Sequence, residues 1–213
     1  MIAAIDGPAG VGKSTISRQA ASATGMYYLN SGNFYRVITL AVLEAGQDPE
    51  KDENVLKIAE NADIQLQDGI ITLNGSEVES ELHTDKVDSW VAQHSAIVKV
   101  RHIVNRILRE VVGNIDAIVE GRDISTVVFP NAEVKIYLDA SVEVRAQRRF
   151  EQGVSKKTLE ELRSNIEMRD QIDKNKELGS LTIPDNAFYL DTSHLTIDQV
   201  CERVVRKIQD IER

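Results

Sequence analysis

The stretch MIAAIDGPAGVGKST, Met1 to Thr15, decides how the rest of the chain is read. Ile2 to Ile5 is an apolar run halted by Asp6-Gly7-Pro8, long enough for a buried strand and too short for a helix. Gly7 to Thr15 fits the pattern G-x-x-x-x-G-K-[ST]. After it, Ile16, Ala20, Ala21 and Ala23 form a helical face that stops at Thr24-Gly25. Strand, glycine loop and helix in that order build a phosphate cradle. The glycines let successive N–H groups point inward, and the helix N-terminus adds partial positive charge. Lys13 is placed to reach the β- and γ-phosphates, and the Ser14 hydroxyl to ligate Mg²⁺. Gly7, Pro8, Ala9, Gly10, Val11, Gly12, Lys13, Ser14 and Thr15 are therefore the expected triphosphate site. A chain of this length meets the pattern by chance roughly once in a hundred.

Outward from the loop, Tyr27 to Leu29 reads as a second strand. A helix with Phe34, Val37, Ile38, Ala41 and Val42 on one side follows and ends at Gly46, and residues 52 to 61 suit another. Between Ile64 and Val78 the period falls to two around Asp68-Gly69 and Asn74-Gly75, dipeptides that make hairpin turns. Helical spacing returns beyond Thr84 with Val87, Trp90 and Val91, then Ile103, Val104, Ile107, Leu108 and Val111, all expected in the core. AIVEG (Ala117 to Gly121) and VKIYLDA (Val134 to Ala140) are apolar strands. A helix spans about Ser141 to Glu151, and a charged one about Lys157 to Lys176 has Leu159, Leu162 and Ile166 as its only apolar stripe. AFYLD is a last strand and Ile197 to Ile211 a closing amphipathic helix. The alternation implies an α/β fold of three layers, with a central parallel sheet of five strands between helices. The hairpin-rich stretch is an insertion with a small β element.

Composition narrows the classes. A chain of 213 residues predicts one compact domain with an elaboration, and 42% hydrophobic with 28% charged residues excludes a disordered, collagen-like or coiled-coil chain. Lys+Arg 25 against Asp+Glu 34 gives a net charge of −9, which argues against nucleic acid and anionic membrane as partners. MIAAIDG has no basic stretch and no window approaches a spanning length, so a cytoplasmic protein without a membrane segment is expected. The single cysteine, Cys201, falls in the pattern Val200, Val204, Val205, Ile208 and reads as buried helix filler. The histidines at 83, 94, 102 and 194 lack metal-site spacing. His94 and His102, eight apart, could share a helix face, but without carboxylate or thiol company they predict no zinc.

The loop alone is common to GTPases, motor ATPases, sulfotransferases and small-molecule kinases. No N-K-x-D guanine-reading motif is present, and AIVEG ends in the single acid Glu120 where a motor ATPase usually shows adjacent acids. The chain offers arginines instead. Arg36 opens the helix after the second strand, Arg122-Asp123 follow AIVEG at a carboxyl strand end, and Arg169 lies on the charged helix. A kinase must hold two mutually repelling anions, and guanidinium groups grip phosphate in a planar fork while staying charged.

AIDGPAGVGKST, YYLNSGNFYR, LNGSEV, VEGRDISTVVFPNAEVKIYLDA and RDQIDKNKE, in this order and spacing, resemble the bacterial-type cytidylate kinases, which belong to the P-loop nucleoside monophosphate kinases. The resemblance covers essentially the whole chain, and EGRD followed by TVVFP is its most specific piece. It implies a P-loop core, a monophosphate-binding insertion at residues 31–112 and a helical lid at residues 152–180. The implied reaction is ATP with CMP or dCMP to ADP with CDP or dCDP, assisted by Mg²⁺, in a monomer. Position by position, Lys13, Arg36, Arg122 and Arg169 match the catalytic cations, and the three arginines clamp the acceptor phosphate and the moving phosphoryl. Ser31, Arg101, Asp123 and Asp173 match contacts to the sugar or pyrimidine, and Tyr35 and Lys176 count among the substrate-binding positions. Arg145 and Arg149, at i,i+4, stand where related kinases cover the adenine and touch the phosphates.

The departures concern the base. Asn30-Ser31-Gly32-Asn33 stands where the family usually has Asp-Thr/Ser-Gly-Ala, and Ala92 replaces the serine that helps read cytosine. Ile172 and Lys176 replace two arginines, and lysine keeps the charge without the fork. Phosphate chemistry is expected intact and discrimination of CMP from UMP weakened. Two other readings are a P-loop kinase for another acceptor, such as UMP, dTMP or a non-nucleotide hydroxyl, and a regulatory module that binds nucleotide without turnover.

Overall fold

β1 (Ile2–Asp6) lies at the centre of a five-stranded sheet, hydrogen-bonded to β6 (Ala117–Gly121) on one side and β7 (Val134–Asp139) on the other. The order is completed outward by β2 (Tyr27–Asn30) beside β6 and β8 (Phe188–Asp191) beside β7, and all five strands run parallel. The register pairs Ile5 with Glu120 and Ile136, so the carboxyl ends of β1, β6 and β7 finish together. Every residue of β6 is buried, as is all of β1 after Ile2, which is why these strands read as unbroken apolar runs rather than alternating ones. The computed structural model describes residues 1–67, 69–153 and 155–211.

Two compact units make up the chain, Met1–Leu29 with Asn114–Arg213, and Asn30–Gly113. In the first, α1 (Lys13–Thr24) and α8 (Ile197–Gln209) pack on each other, and Ile16, Ala20, Val200, Val204 and Ile208 join Ala3, Ile5, Ile118, Ile136 and Leu138 in one core cluster. α6 (Val142–Glu151) and α7 (Leu159–Lys174) pack side by side. Cys201 is half-buried against the core cluster rather than enclosed by it. Among the described residues no helix is long and apolar enough to cross a membrane.

The second unit holds α2 (Ser31–Glu44), α3 (Asp52–Asn61), α4 (Asp85–His94) and α5 (Val98–Val112) with a small antiparallel sheet of β3 (Ile64–Gln67), β4 (Ile70–Leu73) and β5 (Ser76–Glu77). Asn74 and Gly75 both take positive φ, 51° and 82°, and Leu73 pairs with Ser76, the tight hairpin that the dipeptide predicts. Of the other turn, Asp68 lies outside the described residues. The helical stretch beyond Thr84 is two helices, because Ser95, Ala96 and Ile97 close one and begin the next. His94 and His102 therefore sit on different helices and share no face. His94 is a satisfied core residue, with Nδ1 2.9 Å from the Thr39 hydroxyl and Nε2 3.0 Å from the Pro49 carbonyl. Trp90, expected in the core, is half-buried and stacks on that imidazole.

Helix starts follow the side chains available. Thr158 and Thr196 form capping boxes with Glu161 and Gln199, Thr84 and Ser141 cap α4 and α6, and Asn30 caps α2 through the Gly32 N–H. α1 instead begins after Gly12 with no side-chain cap. Its first N–H groups are thus left for a ligand. The loop glycines differ in what surrounds them. A Cβ on Gly7 would meet the Leu138 carbonyl oxygen at 2.1 Å, whereas one on Gly12 meets nothing within 4 Å but sits at φ +99°. Gly12→Ala should cost about 1–2 kcal/mol from backbone strain alone. Gly7→Ala, which must push β1 and β7 apart, should cost about 3 kcal/mol or more. Urea denaturation of the two variants beside the parent checks the order.

Candidate active site

The loop is anchored from behind by two carboxylates. Asp6, the last residue of β1, is buried and accepts the N–H of Ile124 at 2.9 Å, the N–H of Ser125 at 2.8 Å and the Ser125 hydroxyl. Burial pushes its carboxyl up, and the bonds from Ser125 and Ile124 pull it back. These bonds fix a π-turn at Ile124–Val128, directly after Arg122-Asp123, whose start the buried Asp123 provides. Asp170 on α7 holds Arg145 in a two-point pair, 3.2 and 2.7 Å, and Arg145 also donates to the Ala9 carbonyl at 2.9 Å and the Ala140 carbonyl at 2.9 Å. Arg145 is thus a buried strut for the loop. Arg149, half-buried one turn on, reaches Gln152, while Arg148 donates to the Val11 carbonyl and to Thr192.

At the front of the loop the Lys13 ammonium donates to the Gly7 and Pro8 carbonyls, both at 2.8 Å. Burial chiefly, then the charges of Arg122 and Arg169, hold its pKa well below the ordinary lysine value, with Glu120 and Asp173 working the other way. Arg122 donates its Nε–H to Asp173 at 2.8 Å and an Nη1–H to the Gly121 carbonyl at 3.3 Å. Lys176 donates to the other oxygen of Asp173 at 2.6 Å. Burial works against the Asp173 charge, but Arg122, Lys176 and Arg169 outweigh it and hold the carboxyl well below the usual range. Lys13, Arg122, Arg169, Asp123, Asp173 and Lys176 are thus all placed in this unit, and all but Asp123 act on one another electrostatically. A group of cations gathered about Glu120 and Asp173 is suited to polyanionic phosphate.

In the other unit Arg36 is oriented by the Leu82 carbonyl at 2.8 Å and by Asp88 at 2.6 Å. Arg101 is 1% exposed, donates to the Ser95 carbonyl at 2.8 Å and lies over the Tyr35 ring, 5.5 Å from its centroid. Ser31, Tyr35 and Ala92 are buried. Asn30 keeps the helix cap that an aspartate would make, so the loss of charge there leaves the local backbone intact.

The sequence analysis singles out neither Asp170 nor the Tyr28–Glu120 bond, which closes at 2.6 Å. A signal for Asp170 exists in the spacing. The buried face of α7 is Leu162, Ile166, Asp170, Asp173, so the expected apolar stripe does not stop but continues in carboxylates. Leu159, the first residue of α7, is 40% exposed, correcting its place in the stripe. For Mg²⁺ the donor set fits. Among the described residues no three His, Cys, Asp or Glu side chains gather to hold a metal, and the loop offers the Ser14 hydroxyl. A hydroxyl oxygen is a hard donor of the kind such a cation takes.

Asp173→Asn should destabilise the chain by about 3–5 kcal/mol, since Arg122 and Lys176 lose their buried counter-charge. The carboxyl titrates lower in the folded than in the unfolded chain. Its stabilisation is therefore complete above about pH 5 and is lost progressively as pH falls below about 4 toward the depressed folded-state value. Denaturation curves from pH 7 to pH 3 should fall more steeply for the parent than for the variant.

A family model described as cytidylate kinase matches residues 3–210. A cytidylate kinase 1 of Borreliella afzelii is 44% identical over 212 residues, 97% of this chain and 96% of that protein. That of Borrelia garinii is 45% identical over the same shares, and a cytidylate kinase of Borrelia turicatae is 43% identical over 97% of this chain and 95% of its own. An uncharacterised protein from Eubacterium ventriosum superposes with a TM-score of 0.55 at 9% identity, covering 99% of this chain and 98% of its own. The Thermus thermophilus protein TT1252 does so at 0.50 and 15%, covering 99% and 96%, and both bear on the fold alone. With nearly every residue from the first strand to the last helix matched, the chain belongs to the cytidylate kinase family.

Proposed function

We propose that the chain transfers the γ-phosphoryl group of ATP to CMP or dCMP, giving CDP or dCDP and ADP. The grouping of Lys13, Arg122 and Arg169 about Asp173, beside an uncapped glycine-loop helix, is the observation that carries it. The N–H groups of the loop and of the first turn of α1 take the phosphates, and Arg145 holds the loop in shape through the Ala9 carbonyl. Arg149 is the ATP-side residue left nearer the surface. The acceptor phosphate is already largely ionised near pH 7, so no general base is needed, and catalysis is alignment plus charge stabilisation. Lys13, Arg122 and Arg169 offset the negative charge on the moving group. Asp173 keeps Arg122 aimed without itself taking a proton. Ser14 would be the protein ligand of Mg²⁺, which would supply charge neutralisation when bound with ATP.

By the family resemblance, Ser31, Tyr35, Arg36, Arg101, Asp123, Asp173 and Lys176 are the acceptor-binding residues. That Leu82 and Asp88 fix Arg36, and Ser95 and Tyr35 fix Arg101, supports this, because a guanidinium held before binding loses little freedom on binding. Residues 31–112 are the monophosphate-binding insertion and residues 152–180 the lid, whose closure excludes the water that would hydrolyse ATP. We place the reaction in the cytoplasm from the nature of its substrates and the chain as a monomer from the family resemblance.

ADP release from Mg·ATP, with CMP, dCMP, UMP, AMP and dTMP offered singly, tests the proposal. Turnover with CMP or dCMP is expected, and silence with all five would leave only a nucleotide-binding module. Arg122→Ala should cut kcat by about 10³-fold or more with ATP binding retained. A loss of tenfold or less would place Arg122 away from the reacting phosphoryl. Lys176 gives its ammonium to Asp173 and Ala92 offers the base nothing polar. We therefore expect comparable kcat/KM for CMP and UMP. A preference for CMP of about a hundredfold, some 2.7 kcal/mol, would show that other groups read the base.

A further inference from the structure

Arg148, half-buried on α6 between Arg145 and Arg149, spends its guanidinium on the protein itself. Nη1 donates to the Val11 carbonyl at 3.3 Å and to the Thr192 hydroxyl at 3.0 Å, and Nη2 donates to the Thr192 carbonyl at 2.7 Å. Thr192 is buried and is itself fixed. Its N–H donates to the Asp139 carbonyl at 2.8 Å, and its hydroxyl gives its single proton to the same carbonyl at 3.0 Å, which leaves lone pairs for Arg148. Ser193 accepts the Ser141 N–H at 3.1 Å, tying the turn after β8 to the start of α6. Arg148 is thus held on one side by an anchored turn and reaches the phosphate loop on the other.

What that reach does follows from the peptide group. Among the described residues every peptide is trans, so the carbonyl of Val11 and the N–H of Gly12 point in opposite directions. A Val11 carbonyl drawn toward α6 turns the Gly12 N–H away from it. Arg145, three residues earlier on the same helix face, draws the Ala9 carbonyl and turns the Gly10 N–H likewise. Gly10 and Gly12 both take positive φ, 78° and 99°, which lets alternate peptides turn the same way. N–H groups directed together by such a backbone make a concavity that binds anions.

We propose that Arg148 is a positioning residue, which aims the Gly12 N–H at the phosphates of the nucleotide and takes Thr192 as its fixed support. The inference rests on the phosphoryl-transfer reading and adds to it a residue outside the glycine loop that acts through the loop backbone. Two other roles compete with it. Arg148 could serve only as a positive charge near polyphosphate, or only as a brace for the turn after β8. A bare charge is replaced by lysine, and a brace changes stability without changing how tightly phosphate is held.

Calorimetry with ATP and with inorganic tripolyphosphate, which offers the loop phosphates without a base, separates the three. Arg148→Met keeps the apolar stem and removes the donors. Arg148→Lys keeps the charge but has no fork to span Val11 and Thr192. Thermal melts verify the folds. Both variants should bind both ligands about tenfold more weakly than the parent, a change of about 1.4 kcal/mol. Thr192→Val, which removes one of the acceptors that aim Arg148, should weaken both about threefold. Because it acts through Arg148, adding it to Arg148→Met should weaken binding no further. Binding by Arg148→Lys within twofold of the parent would leave only a charge. A loss under twofold in Arg148→Met would leave only a brace, and a loss confined to ATP would place Arg148 at the base; each overturns the assignment. If Arg148→Met does not fold, Thr192→Val decides, and binding of both ligands unchanged from the parent overturns it. A parent chain that binds neither ligand would instead overturn the phosphate-loop reading, and this inference with it.

Discussion

Two buried ion pairs three residues apart on α7 carry the arrangement of the whole phosphate site. Asp170 grips Arg145, which holds the loop at Ala9, and Asp173 grips Arg122, which follows β6. One helix face thereby sets both the shape of the loop and the direction of a cation beside it. Pairs this deep contribute little net stability, because the cost of desolvating both charges cancels much of their attraction. What they do is make misplacement expensive. If α7 turned by one residue, Asp170 would lose Arg145 and Asp173 would lose Arg122, a cost that an apolar stripe of equal area does not impose.

The same cations explain why the loop is receptive to phosphate. Lys13 is buried beside Arg122 and Arg169 as well as Glu120 and Asp173, and it donates to the Gly7 and Pro8 carbonyls of the loop. Its ammonium is therefore costly to keep charged until an anion arrives. Phosphate oxygens lower that cost, so part of the binding free energy resides in relief of an unfavourable state of the protein rather than in new contacts alone. Asp6 acts at a different level. By fixing the turn at Ile124 and Ser125 it sets the backbone after Arg122-Asp123, so the strand that leads into the loop also governs the strand end that carries the arginine.

Most of the fold is legible because the elements are locally consistent. The buried parallel strands show as apolar runs, the Asn74-Gly75 hairpin is written in two residues, and the glycine loop stands between a strand and a helix as its chemistry requires. What escapes a linear reading is polar burial. Asp170 and Asp173 continue the apolar stripe of α7, but nothing before the fold is known says that Arg145 and Arg122 will face them. Arg101 and Asn105 likewise sit on the buried side of α5, in register with Val104 and Leu108, where apolar periodicity has no place for them. Tyr28 and Glu120 stand 92 positions apart in the chain, and the packing of the strands that carry them brings them together.

The departures from the family pattern fall on one side of the chemistry, and their geometry shows why they are tolerated together. Asn30 replaces a charge but retains the helix cap, so the backbone at the start of α2 needs no compensation. Lys176 replaces a planar fork with a compact ammonium that spends its strongest bond, at 2.6 Å, on Asp173. That bond helps keep Asp173 ionised, and an ionised Asp173 keeps Arg122 directed. Lysine at 176 thus preserves the positive charge that faces Asp173. It gives up the second, coplanar donor that would reach a base edge. Selection acting on the rate of transfer alone would accept such a residue, and selection acting on the choice of base would not.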